Sequence, residues 1–228
     1  MKLRLNNNQL KMIALVTMTI DHVGMLLFPR IVLLRIIGRL AFPIFAYMIA
    51  EGCAHTRSMG RYLGTMAAMA AIYQLVYFFV DGSLYQSILV TFSLSIALIW
   101  VLQWAEKRKT AASRAGLVLA LMGVALVTRL LPKLLDGTDF DVDYGLWGVL
   151  LPVTIYLAKE KWQKLLWAAC VLCLLALESY YLQWYALAAL PLLALYDGTR
   201  GKWKMKWLFY IYYPAHLVVL WGLQRLIY

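Results

Sequence analysis

The chain has 228 residues, of which 64% are hydrophobic and only 14% are charged, and its mean hydropathy is +0.72. Soluble domains are nearer half apolar and a quarter charged, so this composition excludes an ordinary soluble protein and indicates an all-α, polytopic transmembrane helix bundle. The net charge of +11 does not indicate nucleic-acid binding, because the basic residues lie in short clusters between apolar runs, as membrane proteins place them to set orientation.

About nine apolar stretches are long enough, or nearly so, to cross a bilayer as helices. They cover approximately residues 9–28, 36–54, 62–80, 84–104, 115–131, 144–157, 162–177, 181–196 and 207–226. Basic clusters alternate with acidic or short connections, Arg30 and Arg35 being the exception, which predicts a cytoplasmic N-terminus and an outer C-terminus. The sixth to eighth stretches are short, so they either cross fully or form a hairpin or re-entrant segment. We expect a single integral-membrane domain over residues 1–228.

The first stretch carries an Asp-His pair, Asp21 and His22, where lipid favours leucine. Lys11 precedes His22 by eleven residues, which places the two on one helix face roughly 16 Å apart. Titratable groups inside a bilayer cost about 2.5 to 3.5 kcal/mol each on insertion scales and usually face a protein interior or a cavity. Asp21 and His22 therefore either form part of a functional site or pair with neighbouring helices and hold the bundle together.

The second stretch adds Arg39 near its outer end, Pro43, and Glu51 toward the cytoplasmic end. A proline inside a helix frees the carbonyl four residues back, here that of Arg39. Arg39 then either forms a polar centre with that carbonyl or extends to the membrane surface.

The last stretch contains Tyr210, Tyr213, Pro214 and His216. In the predicted topology His22 and His216 lie at similar depth in the outer half of the membrane. Two histidines at one level indicate proton transfer rather than a metal site, since no close His or Cys spacing supports metal binding and Cys170 and Cys173 form a lone CxxC pair.

An acidic outer connection precedes the sixth stretch and ends in Asp143, Tyr144 and Gly145. Its negative charges either line the outer entrance of a site and attract a cationic acceptor such as an amine, or belong to an ordinary solvated outer loop, where the positive-inside rule allows negative charge.

Four features together resemble the TraX family. They are the spacing of Lys11 and His22, the run GRLAFPIFAY at 38–47 followed by EGCAHT, the tripeptide at 143–145, and RGKWKMKWLFYIYYPAHL at 200–217. The resemblance covers most of the chain in collinear order. The family is named for the F-pilin acetylase of conjugative plasmids and is similar to type-3 membrane acyltransferases, whose first span carries a basic residue ahead of a catalytic histidine.

The resemblance implies acetyl-CoA as the cytoplasmic donor, a peptide, pilin or glycan acceptor reached from the outer side, and a bacterial cytoplasmic membrane; from the residue spacing we expect no metal. It implies a general base or transient acyl carrier at His22. Asp21 points about 100° away from His22 and so holds Arg39 or His216 instead. We expect Arg39, Tyr213 or freed carbonyls to polarise the thioester or orient the acceptor, and Asp143 and Tyr144 to contact the acceptor. The phosphates of coenzyme A bind basic side chains, with the candidates Arg57, Arg61, Lys202, Lys204 and Lys206.

Two other functions are alternatives to the transferase. A small proton-coupled transporter would use Asp21, His22, Arg39, Glu51 and His216 as a relay. The basic cytoplasmic clusters and the lack of a visible internal repeat favour the transferase. A non-catalytic assembly factor would give no use to the buried titratable groups.

Overall fold

The computed structural model describes residues 4–202 and 206–227, and in the last helix the side chains at 206, 207, 209, 210 and 214 are outside the description. Within these residues every regular element is helical. The two backbone contacts of β type are isolated bridges, between Leu5 and Tyr196 and between Gln86 and Val142. The prediction of an all-α protein is confirmed.

The helices follow the predicted stretches closely. In chain order they are α1 Asn7–Leu26, α2 Val32–Gly38, α3 Ala41–His55, α4 Met59–Asp81, α5 Ile88–Arg108, α6 Ala111–Ala125, a π-helical turn Leu126–Leu130 continuing into α7 Leu131–Leu134, α8 Gly145–Leu157, α9 Lys161–Glu178, a 3₁₀ helix Tyr181–Ala188 continuing into α10 Ala189–Ala194, and α11 Lys206–Ile227.

Four helical segments of the described chain are long and apolar enough to cross a membrane: Val32–His55, Met59–Asp81, Ile88–Arg108 and Ala111–Leu134. Many of their large apolar side chains are exposed, for example Phe79 at 80% and Leu119 at 66%. Such surfaces suit a lipid environment. Gly145–Leu157 and Tyr181–Ala194 are shorter apolar helices, so the full set of nine crossings stays a prediction.

The second predicted stretch is not one helix with a proline kink. The chain turns at Arg39 and Leu40 between α2 and α3, and Pro43 lies in the first turn of α3. Amide groups in a first turn have no partner within their helix, so a proline there removes no hydrogen bond. The expectation that Pro43 frees the carbonyl of Arg39 is therefore wrong.

The chain forms two compact units, Met1–Met48 with Glu160–Tyr228, and Ile49–Lys159. In the first, which we call the terminal unit, α1 packs tightly on α2 and also contacts α11, while α9 packs on the 3₁₀ helix and α10. In the second, the central unit, α5 is the core helix and contacts α4, α6 and α8. The Ser95 hydroxyl on α5 donates to the Val149 carbonyl on α8 at 2.9 Å.

The start of α1 is fixed by its own sequence and by the connection before α11. Asn6 caps the helix through a reciprocal pair of hydrogen bonds with Gln9, at 3.0 and 2.9 Å. Leu5 exchanges backbone hydrogen bonds with Leu195 and Asp197. The first and last parts of the sequence are thereby joined within the terminal unit.

Candidate functional site

The two histidines that the sequence singles out, His22 and His216, are in direct contact in the terminal unit. His22 Nδ1 on α1 lies 2.9 Å from His216 Nε2 on α11, and the ring centroids are 5.0 Å apart. His216 is 7% exposed. The two rings therefore lie side by side, and their depth in a membrane stays a prediction.

The protons on the two rings follow from the hydrogen bonds. His216 Nδ1 lies 2.8 Å from the Tyr212 carbonyl oxygen, and because a carbonyl only accepts, Nδ1 carries the proton. The Nε2 atom of a neutral His216 is then an acceptor, so His22 Nδ1 is the donor across the 2.9 Å contact. This leaves the lone pair of a neutral His22 on Nε2, the form that a general base requires.

Two tyrosines of α11 support His216. The Tyr212 ring is stacked on the His216 ring with centroids 5.1 Å apart, and the Tyr213 ring lies edge-on at 5.8 Å. The Thr19 hydroxyl donates to the Leu15 carbonyl at 2.8 Å, so the Tyr212 hydroxyl is the donor in its 2.8 Å contact with Thr19. These contacts fix the orientation of His216 relative to α1.

Asp21 forms a second polar cluster on a different side of α1. Its carboxylate accepts from Arg35 Nη1 at 2.8 Å and from Arg39 Nη2 at 2.8 and 2.9 Å. Of the two partners predicted for Asp21, Arg39 is therefore the one that it contacts, and Arg39 belongs to a polar cluster.

Gln183 of the 3₁₀ helix completes this cluster. Its Oε1 accepts from Arg39 Nη1 at 3.4 Å, and the residue is 4% exposed. The cluster depends on the close approach of α1 and α2: a Cβ at Gly38 would lie 2.1 Å from Asp21 Oδ1. Only glycine allows this separation.

The basic connection before α11 lies at the start of α1. Asn7 donates to the Thr199 carbonyl at 2.8 Å, and the charge of Arg200 acts on Lys11. Lys202 follows as an exposed residue. Of the basic residues predicted to bind phosphate here, Lys204 and the side chain of Lys206 are outside the described residues.

The other predicted basic residues belong to the central unit. Arg57 and Arg61 are exposed around the start of α4, where Ser58 caps the helix by accepting from the Arg61 amide at 3.3 Å. Glu51 is buried in α3, and its backbone carbonyl lies 2.9 Å from His55 Nδ1.

Asp143 and Tyr144 shape the connection before α8. Tyr85 donates to Asp143 Oδ1 at 2.9 Å, and Thr91 donates to the Asp143 carbonyl at 2.6 Å. Burial, reinforced by the charge of Asp143, raises the pKa of Tyr85. Tyr144 has φ +60°, a left-handed conformation that begins α8. Both residues therefore have structural contacts, and their role in binding an acceptor stays a prediction.

The acidic side chains of the same connection act as acceptors within the loop. Asp139 accepts from the Ser83 hydroxyl and from the Leu84 amide, the latter at 2.8 Å. These bonds lower the pKa of Asp139. Within residues 4–202 and 206–227, no group of three His, Cys, Asp or Glu side chains is arranged to hold a metal ion.

Three contacts of the site were missed by the sequence reasoning. Arg35 lies four residues before Arg39 on the same helix face, a spacing that would have revealed it. Gln183 is a polar residue in an apolar stretch, which is also a usable signal. The hydrogen bond between Tyr212 and Thr19 depends on the pairing of α1 with α11, which no local pattern encodes.

The sequence matches the model of a family described as "TraX protein" over residues 6–224. A "Probable fimbrial assembly protein FimC, serogroup H1" of Dichelobacter nodosus is 25% identical and covers 93% of both chains. A "Protein TraX" of Escherichia coli strain K12 is 29% identical, covering 92% of this chain and 84% of the relative. No solved structure matches.

Proposed function

The chain belongs to the TraX family, and from this membership we propose that it is a membrane-embedded acetyltransferase. It moves an acetyl group from acetyl-CoA to an amine or hydroxyl of a peptide, pilin or glycan acceptor. It does so in a bacterial cytoplasmic membrane, with the donor on the cytoplasmic side and the acceptor reached from the outer side.

The observation that carries the proposal is the proton arrangement of the histidine pair. The lone pair on His22 Nε2 takes a proton from the acceptor amine or hydroxyl as its nitrogen or oxygen attacks the thioester carbonyl. The carbon–sulfur bond then breaks, and the proton on Nε2 passes to the leaving thiolate to give free coenzyme A. The positive charge on His22 during the reaction is shared with His216 through the 2.9 Å hydrogen bond.

Binding of the donor is supported by the basic residues at the start of α1. Lys11, Arg200 and Lys202 carry three positive charges in one region of the terminal unit. Charge-assisted bonds to phosphate are about twice as strong as neutral ones, so this region suits the phosphates of coenzyme A. Lys204 and Lys206 extend the same basic segment in the sequence.

A peptide acceptor is supported by the name of one relative. The protein of Dichelobacter nodosus is called a probable fimbrial assembly protein, and a fimbrial subunit offers an N-terminal amine. An amine acceptor that arrives neutral transfers one proton in the reaction, which is the proton that His22 removes.

The test measures acetyl-CoA binding and turnover with purified protein in detergent, using wild type, His22→Ala and the control His55→Ala. His55 is an exposed histidine of the central unit, with 74% of its side chain accessible. We expect wild type and both variants to bind acetyl-CoA with similar Kd. Hydrolysis or transfer should fall about 10²- to 10⁴-fold in His22→Ala only. Full activity of His22→Ala would overturn the assignment of the base.

A transient acetyl-histidine is the rival chemical route. Nε2 would then attack the thioester carbonyl itself, and the acceptor would attack the acetyl-imidazole that results. Rapid quenching after mixing with radiolabelled acetyl-CoA separates the two routes, because only the covalent route places label on the protein before the acceptor is added.

Proton-coupled transport is the second candidate function, and the histidine pair is the observation that favours it. Two imidazoles joined at 2.9 Å can pass a proton between helices. Absence of acetyl-CoA binding by folded protein, together with pH-driven uptake into proteoliposomes that His22→Ala abolishes, would establish this function instead.

A further inference from the structure

The cluster around Asp21 has an excess of positive charge. Two guanidinium groups, of Arg35 and Arg39, contact one carboxylate, so the three side chains together carry a charge of +1. Their side chains are 25%, 15% and 14% accessible for Arg35, Arg39 and Asp21. An anion bound beside these side chains would balance this excess of positive charge.

Gln183 presents an unused donor to this cluster. Its Nε2 atom is buried and makes no hydrogen bond to any part of the chain that the structure describes, although the residue is only 4% exposed. Turning the amide would set its NH₂ group against the N–H of Arg39, so the present orientation is the favourable one. Leaving a buried donor unsatisfied costs free energy, which a ligand oxygen would recover.

The distance between the two donors permits one oxygen atom to accept from both. The oxygen and nitrogen of a carboxamide are roughly 2.2 Å apart, and Gln183 Oε1 is 3.4 Å from Arg39 Nη1. Gln183 Nε2 and Arg39 Nη1 are therefore at most about 5.6 Å apart, and an oxygen between them lies within hydrogen-bond reach of both. Guanidinium groups match carboxylate and phosphate oxygens particularly well.

We propose that Arg35, Arg39 and Gln183 form a binding site for a singly charged oxyanion, a carboxylate or a phosphodiester, carried by the acceptor. A monoanion neutralises the charge of the cluster and takes the free proton donor of Gln183.

The position of the cluster limits the acceptor. Asp21 directly precedes His22 on α1, so the cluster and the imidazole lie on neighbouring faces of the same helical turn. An acceptor held by its anion therefore carries its amine or hydroxyl a few bonds away from that anion. This assignment to the acceptor rests on the proposed acetyltransferase function, whereas the anion site itself does not.

The test compares wild type with Gln183→Glu. Glutamate keeps an oxygen that accepts from Arg39, so the structural contact remains, but it removes the NH₂ donor and supplies its own negative charge. Gln103→Glu is the matched control, since Gln103 in α5 of the central unit is also hydrogen-bonded, donating to the Tyr156 hydroxyl at 2.9 Å. The probes are propionate and dimethyl phosphate, with methyl propionate and trimethyl phosphate as their neutral counterparts.

Thermal unfolding in detergent is followed at constant ionic strength and without acetyl-CoA. We expect one anion to raise the Tm of wild type and Gln103→Glu by roughly 2–5 °C at ten times its Kd. Neither anion should change the Tm of Gln183→Glu. The anion that acts identifies the chemical source, a carboxylate or a phosphodiester.

The proposed anion site would be refuted by equal Tm shifts in all three proteins, by equal Tm shifts with the neutral counterparts, or by no Tm shift in wild type. Because acetyl-CoA is absent, this result is independent of the transferase assay. If the protein binds the anion but transfers no acetyl group, the anion site stands and the acetyltransferase proposal is refuted. If it transfers acetyl groups but binds no anion, the acetyltransferase stands and the anion site is refuted.

Discussion

Among the single residues, His216 has the clearest testable role, because its Nε2 atom accepts the hydrogen bond from His22 Nδ1. His216→Leu removes that acceptor and should reduce kcat about 10²-fold or more, because His22 is then free to adopt the other tautomer or to rotate. His216→Gln places a carboxamide oxygen near the position of Nε2 and should restore kcat to within roughly tenfold of wild type.

The measurement is kcat at saturating acetyl-CoA over a range of pH, with KM determined in parallel. A positioning role for His216 predicts a lower kcat with little change in the KM for acetyl-CoA. Equal activity of the leucine and glutamine variants would refute the role.

The sequence identified most of the individual residues but not their partners. Asp21, His22, Arg39 and His216 stand out because polar side chains are costly among apolar ones. Their pairing depends on which helices pack together, and the local sequence carries no signal for the contact between α1 and α11. The direction of the Asp21 side chain on α1 left two partners open, Arg39 and His216, and the structure shows Arg39.

At the scale of helices, the α1–α2 pair has no room for an added methyl group. Gly38→Ala would place a Cβ 2.1–2.5 Å from the Asp21 side chain, so the helices must separate or the ion pairs with Arg39 must break. We expect destabilisation of about 1–3 kcal/mol. Loss of activity should accompany it, because α1 carries His22.

Gly123→Ala is the control for this substitution. Gly123 lies inside α6, and a Cβ there would meet nothing within 4 Å. Alanine favours helix over glycine by up to about 1 kcal/mol, so this variant should be as stable as wild type or slightly more so. Thermal unfolding in detergent measures both, and equal stability of the two variants would contradict the packing argument.

The loop that contains Asp139 should respond to acid. Hydrogen bonds from Ser83 and Leu84 hold the pKa of Asp139 below its ordinary value of 3.8. A lowered pKa means that the contact is fully present above pH 3.8 and is lost as the pH falls through the lower, folded value. Ser83→Ala removes the hydrogen bond that contributes most to the lowered pKa of Asp139. In this variant the loop contact should therefore be lost at a higher pH, closer to 3.8.

Hydrogen exchange of the Leu84 amide, corrected for the intrinsic effect of pH, follows this loop. Wild type should keep its protection to a lower pH than Ser83→Ala. Identical profiles would show that the carboxylate does not control the loop.

The helix positions were predictable and the break in the second stretch was not. Each of the nine apolar stretches contains helix in the structure, because apolar length alone indicates a helix in lipid. The turn at Arg39 and Leu40 has no glycine or proline at its centre. Pro43, which drew attention as a kink, is compatible with the first turn of α3.

At the scale of the whole molecule, the site is made from the two ends of the sequence. His22, Asp21, Arg39, Gln183 and His216 all belong to the terminal unit. The segments that carry the family resemblance at the N- and C-terminal ends lie largely in this unit as well. The central unit supplies residues 49–159, which include three of the four long apolar spans.

The number of membrane crossings can be tested, and two short apolar helices, Gly145–Leu157 and Tyr181–Ala194, affect it directly. Gly145–Leu157 has 13 residues, about 20 Å of helix against a hydrocarbon core of about 30 Å. With a cytoplasmic N-terminus and the other seven predicted stretches crossing, the C-terminus lies outside if α8 and Tyr181–Ala194 both cross. If only one of them fails to cross, the side of every later connection is reversed.

Single cysteines in a background without Cys53, Cys170 and Cys173 distinguish these arrangements. Asp136→Cys and Arg225→Cys should react with an impermeant maleimide in intact cells, while Lys107→Cys and Lys202→Cys should react only after permeabilisation. All four positions are exposed, so accessibility in the fold is matched. Labelling of Lys202→Cys in intact cells with protection of Arg225→Cys would place the basic connection outside. It would also separate that connection from cytoplasmic acetyl-CoA, so the same experiment tests the proposed donor site.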